Sequence, residues 1–381
     1  MSTAHYPAIV VGVGAMGSAT LHHLAKRGVR ALGLERFDIP HAMGSSHGVN
    51  RIIRLAYFED PSYVPLLRRA YELWRSLEHD SGERLLVITG GLDAALPTHQ
   101  VFTGSVESCR RHDLPHEILT AAEINARFPG YRLPEGHMGV YQPDGGYVMS
   151  ERAIVAHVES ALRNGAEIHA REAVTGWEAT DNGVVLTTER REYTADRLVV
   201  TAGAWSMGLL DALAGLAIPE RQVLGWFHPL HPESFTPDRF PIFNLEVDEG
   251  HFYGFPVETV PGFKIGLYHH LREHVDPDTM DREPNARDES VLREAVERYF
   301  PQAGGPTMAL KTCLFTNSPD EHFIIDTHPE FPQVSLAAGF SGHGYKFSAV
   351  VGEILADLAT SGDTSHDISL LRLRRLLPTP S

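Results

Sequence analysis

A chain that sets Gly12, Gly14 and Gly17 as G-x-G-x-x-G between an apolar β-rich run, AIVVG, and a helical stretch, SATLHHLAKRG, has few folds open to it. A second apolar run, ALGLER, follows at once, so residues 8–36 read as strand, helix, strand. The first glycine permits the tight turn, the second lets backbone approach a pyrophosphate, and the third lets the helix pack closely on the strand. The helix N-terminus then offers its unpaired N–H groups to the phosphates. Glu35, 18 residues past Gly17, stands where a carboxylate accepts both hydroxyls of an adenosine ribose. These signals point to a Rossmann-type dinucleotide site, and they do not separate FAD from NAD.

At 381 residues the chain exceeds the usual span of one hydrophobic core, which implies two domain-sized units. Residues 62–79 have the spacing of an amphipathic helix, and ERAIVAHVESALRNGAEIHA predicts a helix from 151 that ends at Asn164-Gly165. The strands VTGWEAT, GVVLTTERREYTA and RLVVTAGAW read as a return to the first unit. Between 222 and 315, alternating segments such as HFYGFPV and GFKIGLY flank a Pro261-Gly262 turn and predict an antiparallel sheet. From 334 the pattern is strand, glycine-rich loop, then a helix to about Thr360. The fold class is therefore α/β.

Lys plus Arg number 33 against 49 Asp plus Glu, a formal net charge of -16, which disfavours nucleic acid and anionic membranes as partners. An anionic substrate would then need positive charge built into a pocket. Two cysteines, Cys109 and Cys313, make neither a disulfide framework nor a zinc motif and fit a reducing cytoplasm. The start, MSTAHYPAIVVGVG, lacks the basic and separate apolar regions of a signal peptide, and no uninterrupted apolar run reaches about 18 residues. The expectation is a soluble cytoplasmic protein. The sequence holds 22 histidines but no His-Glu-x-x-His, and His270 with His274 lacks a carboxylate set, so no metal site is expected.

Several cations invite a role. Lys346, in GFSGHGYKFS, is placed in the first turn of the last helix, where a cation opposes the helix dipole and makes sense beside an anion. The same segment fails as a G-x-S-x-G nucleophile elbow, because His343 stands where the closing glycine belongs. Arg51 and Arg54, in SSHGVNRIIRLAY, carry the planar fork suited to a carboxylate, although spacing alone reads equally well as two surface arginines. Alternation in GFKIGLY puts Lys264, Gly266 and Tyr268 on one strand face. Cys313 alone reads as a small buried hydrophobe.

Taken together, SSHGVNRIIRLAY, HFYGFP followed by FKIG, KTCLFTNSPDEHFIID and GFSGHGYKFS resemble, in order, the monomeric sarcosine oxidase and N-methyltryptophan oxidase family of flavoproteins, over residues 8 to about 372. The resemblance implies a Rossmann-type FAD-binding domain of segments 1–85, 151–215 and 314–381, with a substrate domain of 86–150 and 216–313 built on an antiparallel sheet. It implies that Cys313 bonds covalently to the flavin and that Arg54 and Lys346 clamp the substrate carboxylate. Arg51 matches an arginine beside the flavin, Lys264 a lysine that promotes reaction with oxygen, and Tyr253 an active-site tyrosine. Gly12, Gly14, Gly17, Glu35, Arg36, Ser45, His47, Gly342, Gly344 and Lys346 complete the cofactor set.

Two positions depart from the family. Four residues after Lys264 the family has histidine and this chain has Tyr268, with His269 one later as the catalytic candidate; the segment matching GSHHGDTR reads GSSHGVNR. The implied activity is FAD-dependent oxidation of a secondary amino acid, such as sarcosine, by oxygen, in a monomer without nucleic-acid or membrane partners. A cyclic imino acid oxidase, a nicotinamide-dependent dehydrogenase and a non-catalytic flavin-binding protein stay open.

Overall fold

The structure, a computed structural model, describes residues 4–259 and 262–377; Pro261 of the expected turn lies outside them. The strand Ala4–Val11 lies at the centre of an eight-stranded sheet, and its last four residues are all buried, as a parallel strand covered on both faces must be. On one side it pairs in parallel with Ala31–Leu34, which pairs in turn with Glu167–His169. On the other it pairs in parallel with Glu192–Val200. That long strand is shared: its first half takes the antiparallel hairpin Val174–Thr180 and Gly183–Thr188, and its last residues take Val334–Ala338. The chain thus returns to the first sheet from three distant segments, as the sequence pattern predicts.

Helices Ala15–Lys26, Ser150–Arg163 and Ser348–Ser361 pack together against this sheet. The crossing of the first and last is close because Gly352 has no side chain; a Cβ there would lie 2.5 Å from Ala19 backbone. The helix predicted over 62–79 is Val64–Ser81, entered through a short 3-10 turn at Pro61–Tyr63 and closed by Gly82 at φ +73°.

A second, nine-stranded sheet holds Ile218–Phe227, Phe263–Leu267, Gly250–Phe255, Ile242–Val247, Gly91–Ala95, Met138–Gln142 and Glu117–Thr120 in that order, with Glu273–His274 at one end. The long strand Thr307–Asn317 pairs with Ile218–Phe227 over nearly its whole length. The predicted antiparallel sheet is present but mixed, because Ile242–Val247 runs parallel to Gly91–Ala95. Its own core is rich in phenylalanine, with Phe227, Phe235, Phe240, Phe243, Phe252 and Phe263 fully buried. A small third sheet, Asn50–Ile53, Gly146–Met149 and Leu86–Ile88, joins the two regions.

Candidate active site

The carboxyl ends of the central parallel strands open into a cavity of about 360 Å³ that runs from the glycine turn to Cys313. Gly12 adopts φ +89°, and a Cβ on it would meet the Thr201 carbonyl oxygen at 2.5 Å. Gly17 does not line the cavity: its Cβ would stand 1.8 Å from the Gly12 oxygen, so its task is close packing of helix on turn. Gly14, by contrast, lines the cavity, and a Cβ on it would meet only the Ser46 hydroxyl oxygen, at 3.8 Å. Glu35 accepts from the backbone N–H of Val13 at 2.7 Å and of Phe37 at 2.9 Å, which fixes both carboxylate oxygens at the cavity wall. Arg36 pairs with Asp278 at 2.8 Å and lies 5.5 Å from the Trp205 ring, while the Trp205 indole donates to the same Asp278. Trp205 and Asp278 were not legible as site residues, since nothing local marks them.

At the far end Cys313 is 4% exposed. Burial alone would raise its thiol, but the imidazole of His47, the guanidinium of Arg51 and the Leu314 backbone hold it down at about 7, below the usual 9. Arg51 Nη2 lies 3.6 Å from Sγ and donates to the Ser45 carbonyl at 2.8 Å. Ser45 lines the cavity, whereas His47 does not, and its buried Nε2 has no hydrogen-bond partner among the described residues. A thiol of this kind is poised as a nucleophile rather than as filler.

A smaller cavity of about 50 Å³ shares Arg51, Tyr253, Gly342 and Tyr345 with the large one. Its remaining wall brings Arg54 and Lys346 together with Glu59, His343, Asn244, Tyr268, Ile52, Phe58 and Phe255. Neither cation is on the surface: Arg54 is 3% exposed and Lys346 5%. Lys346 belongs to the 3-10 turn Tyr345–Phe347 ahead of the last helix, not to its first α turn. Arg54 Nη2 donates to both oxygens of Glu59 at 3.0 and 2.8 Å, and its Nε, 3.7 Å from Asp93, makes no hydrogen bond among the described residues. Glu59 is buried, yet Arg54, His343 and Lys346 keep its pKa below the ordinary value, so it stays ionised. Burial pushes Lys346 down to about 7, Arg54 adds to the fall, and Glu59 and Asp93 oppose it. The Lys346 ammonium makes one hydrogen bond among the described residues, to the His343 carbonyl at 2.7 Å, so two N–H groups remain for an anion.

Tyr253 borders both cavities, with room made by its cross-strand neighbour: a Cβ on Gly266 would meet the tyrosine ring at 2.5 Å. Gly342 and Gly344 also line the large cavity, with Phe315 and Phe340 where their side chains would be. Lys264 lines neither cavity. It lies on a strand buried on both faces and donates to the Gly48 carbonyl at 2.7 Å, the Asn50 carbonyl at 2.8 Å and Asn50 Oδ1 at 2.9 Å. Burial pushes its pKa well below 10.5. Three acceptors nevertheless engage three N–H groups, and only the ammonium form has three, so the geometry holds the charge.

His269 departs from expectation. The strand ends at Leu267, His269 takes φ +59°, and its ring turns to Glu220 at 3.1 Å and Glu321 at 3.2 Å, away from both cavities. Hydrogen bonds to those two carboxylates raise it to about 9, an ion-paired structural histidine. Tyr268 lines the small cavity in its place and donates to the Ser341 carbonyl at 2.7 Å.

A family model described as FAD dependent oxidoreductase matches residues 8–358. The chain belongs to that family of FAD-dependent oxidoreductases. It is 43% identical to the monomeric sarcosine oxidase of Streptomyces avermitilis, with 99% of each chain covered. It is 34% identical to the N-methyl-L-tryptophan oxidase of Yersinia pestis, over 97% of this chain and 99% of that one. Among solved structures it is similar to NikD, an unusual amino acid oxidase, at TM-score 0.85 and 26% identity, covering 97% and 98% of the two chains. Within the FAD-dependent oxidoreductases it is therefore a flavin-dependent amine oxidase.

The residues present fit FAD. The glycine turn leaves a cradle that a Cβ at Gly12 would fill, Glu35 is fixed at the wall, and the cavity ends on a low-pKa cysteine flanked by an unpartnered imidazole nitrogen. Glu59, Asp93, Asn244 and His343 surround Arg54 and Lys346 in the flavoprotein and were missed: Glu59 and His343 contact the two cations from close by in sequence, while Asp93 nears Arg54, and Asn244 bonds Asp93, only once distant strands pair. Asp93 alone left a trace, as a carboxylate inside the apolar run GGLDAAL.

Proposed function

We propose that this chain oxidises a small secondary amino acid, an N-methyl amino acid such as sarcosine, to its imine, which water hydrolyses to the primary amino acid and formaldehyde, with oxygen reduced to hydrogen peroxide. The carrying observation is the position of Arg54 and Lys346 in a pocket of about 50 Å³ that opens onto the cofactor cavity. Since one water takes roughly 10–15 Å³ of such space, the pocket suits a few heavy atoms and disfavours an indole side chain.

FAD supplies the two-electron acceptor for the C–N bond and passes the electrons to oxygen. The chain's own residues bind, orient and exclude water. Lys346 brings two free N–H groups to the carboxylate, and Arg54 offers a guanidinium shared with Glu59. Holding the substrate by its carboxylate fixes the C–N bond at the boundary formed by Arg51, Tyr253, Gly342 and Tyr345, and such orientation contributes up to about 7–11 kcal/mol. Lys264 places a buried cation beside Arg51, suited to stabilise negative charge arising on oxygen. Cys313 holds the cofactor covalently through its sulfur, a reading supported by its lowered pKa and its place at the cavity end.

The division into segments 1–85, 151–215 and 314–381 against 86–150 and 216–313 is kept, with the strand Thr307–Asn317 carrying the second region's sheet through to Asn317. A cytoplasmic monomer is part of the same reading, supported by Cys109 and Cys313 forming no disulfide. A peroxide-coupled screen over N-methyl and cyclic amino acids tests the proposal. The expected ranking puts sarcosine above pipecolate, proline and N-methyltryptophan; peroxide from the bulky amines and none from sarcosine would overturn it.

A further inference from the structure

Among the polar groups on the small cavity's wall, Asn244 is one that anchoring and oxidation do not use. Asn244, 5% exposed, lines only this cavity, and its Nδ2 donates to Asp93 Oδ1 at 2.6 Å. Asp93 is 3% exposed, accepts from Ser105 Oγ at 2.7 Å on its other oxygen, and has Arg54 Nε 3.7 Å from Oδ1. A carboxylate beside a guanidinium accepts and does not donate, so the amide cannot turn round without facing oxygen to oxygen. Its Oδ1 is thereby left as the group free to accept a hydrogen bond on the cavity side.

The direction in which that acceptor looks follows from the two-cavity plan. Resting on the function proposed above, a substrate has its carboxylate at Arg54 and Lys346 and its reacting C–N bond at the shared boundary. Asn244 is not part of that boundary. What remains for it to meet is the substituent on the α-carbon. The rest of that wall is apolar at Ile52, Phe58 and Phe255, and its other polar members are engaged: Glu59 accepts from Arg54, the Tyr268 hydroxyl donates to the Ser341 carbonyl, and the His343 ring bonds Tyr57 and the Glu321 carbonyl. We infer that Asn244, oriented by Asp93, is a specificity-determining residue that selects small secondary amino acids whose α-substituent carries a hydrogen-bond donor, such as a hydroxymethyl group.

A built acceptor penalises an isostere that cannot satisfy it. Anaerobic stopped-flow reduction of the holoenzyme with N-methyl-L-serine and with its isostere N-methyl-L-2-aminobutyrate, with sarcosine as control, gives a Kd and a reduction rate for each. The expected result is a Kd at least about tenfold lower for the serine compound. Asn244→Leu should abolish or reverse that preference, read as the ratio of the two Kd values whatever the change in the sarcosine Kd, and Asp93→Asn, which frees the amide to rotate, should reduce it. Should the leucine variant fail to take up flavin, Asn244→Ala reads the same contrast. Equal Kd values in the wild type, or a preference that survives loss of the Asn244 amide, overturn the inference while sarcosine reduction leaves the functional reading standing. Flavin that no secondary amino acid reduces overturns the functional reading itself, and the inference with it.

Discussion

Lys346 concentrates the pH behaviour expected of the site. Burial holds its pKa at about 7 against an ordinary 10.5, so the free enzyme carries the ammonium below about pH 7 and loses it above. A carboxylate ligand binds the charged form better. Its affinity should therefore fall as pH rises through 7, by about tenfold per unit, until neutral-form binding takes over. Lys346→Met should weaken binding at pH 6 and flatten the profile; a wild-type affinity independent of pH from 6 to 9 would contradict this assignment. Lys264 answers a different question. With three carbonyl-type oxygens around a buried ammonium, Lys264→Met should slow reoxidation by oxygen at least tenfold more than it slows reduction by substrate, measured as separate half-reactions. Equal slowing of both would remove it from the oxygen step. At this scale the sequence was readable where one residue type has few reasons to occur in a segment, as with Cys313 among KTCLFTN. It was unreadable where a partner comes from far along the chain: Glu59 and His343 stand close in sequence to Arg54 and Lys346, but Asp93 and Asn244 reach the pair only through strand pairing. The ordering of Tyr268 and His269 needed the left-handed turn at His269, which alternation along GFKIGLY could not reveal.

The elements themselves were more legible than their pairing. The glycine turn, the two strands around it and the helices ending at Arg163 and Ser361 follow directly from apolar spacing and from Gly165 and Gly362 at positive φ. Hidden from that reading was the parallel pairing of Ile242–Val247 with Gly91–Ala95, because a strand's own pattern does not say which neighbour it takes. The strand Thr307–Asn317 shows what such pairing achieves. It is buried from Thr312 to Thr316, and its long antiparallel partner fixes Cys313 at the cavity end beside Arg51 and His47. If that sulfur carries the cofactor, acid-precipitated protein should give a coloured pellet, and Cys313→Ala a colourless one with free FAD in the supernatant. Free FAD from the wild-type protein would leave Cys313 a neighbour of a dissociable cofactor.

For the whole molecule, the two large sheets divide the chemistry. The parallel sheet supplies the glycine turn and Glu35 at one end of the large cavity, and the mixed sheet supplies Cys313 and Tyr253 at the other, with Lys264 behind them. The small third sheet, through Asn50–Ile53, sets Arg51 and Ile52 at the wall where the two cavities meet and leads directly into Arg54. Composition anticipated this arrangement in one respect: a chain of net charge -16 that handles an anion must bury its cations, and Arg54, Lys346 and Lys264 are all buried. The return of distant segments to the first sheet was also legible, whereas the size of the small cavity depended on side chains from several separate segments. The most direct measurement is anaerobic addition of sarcosine to the purified flavoprotein, followed by admission of air. Sarcosine should abolish the visible flavin absorbance, air should restore it, and formaldehyde and hydrogen peroxide should form in equal amounts. Flavin absorbance unchanged by sarcosine, with no formaldehyde formed, would contradict the proposed function.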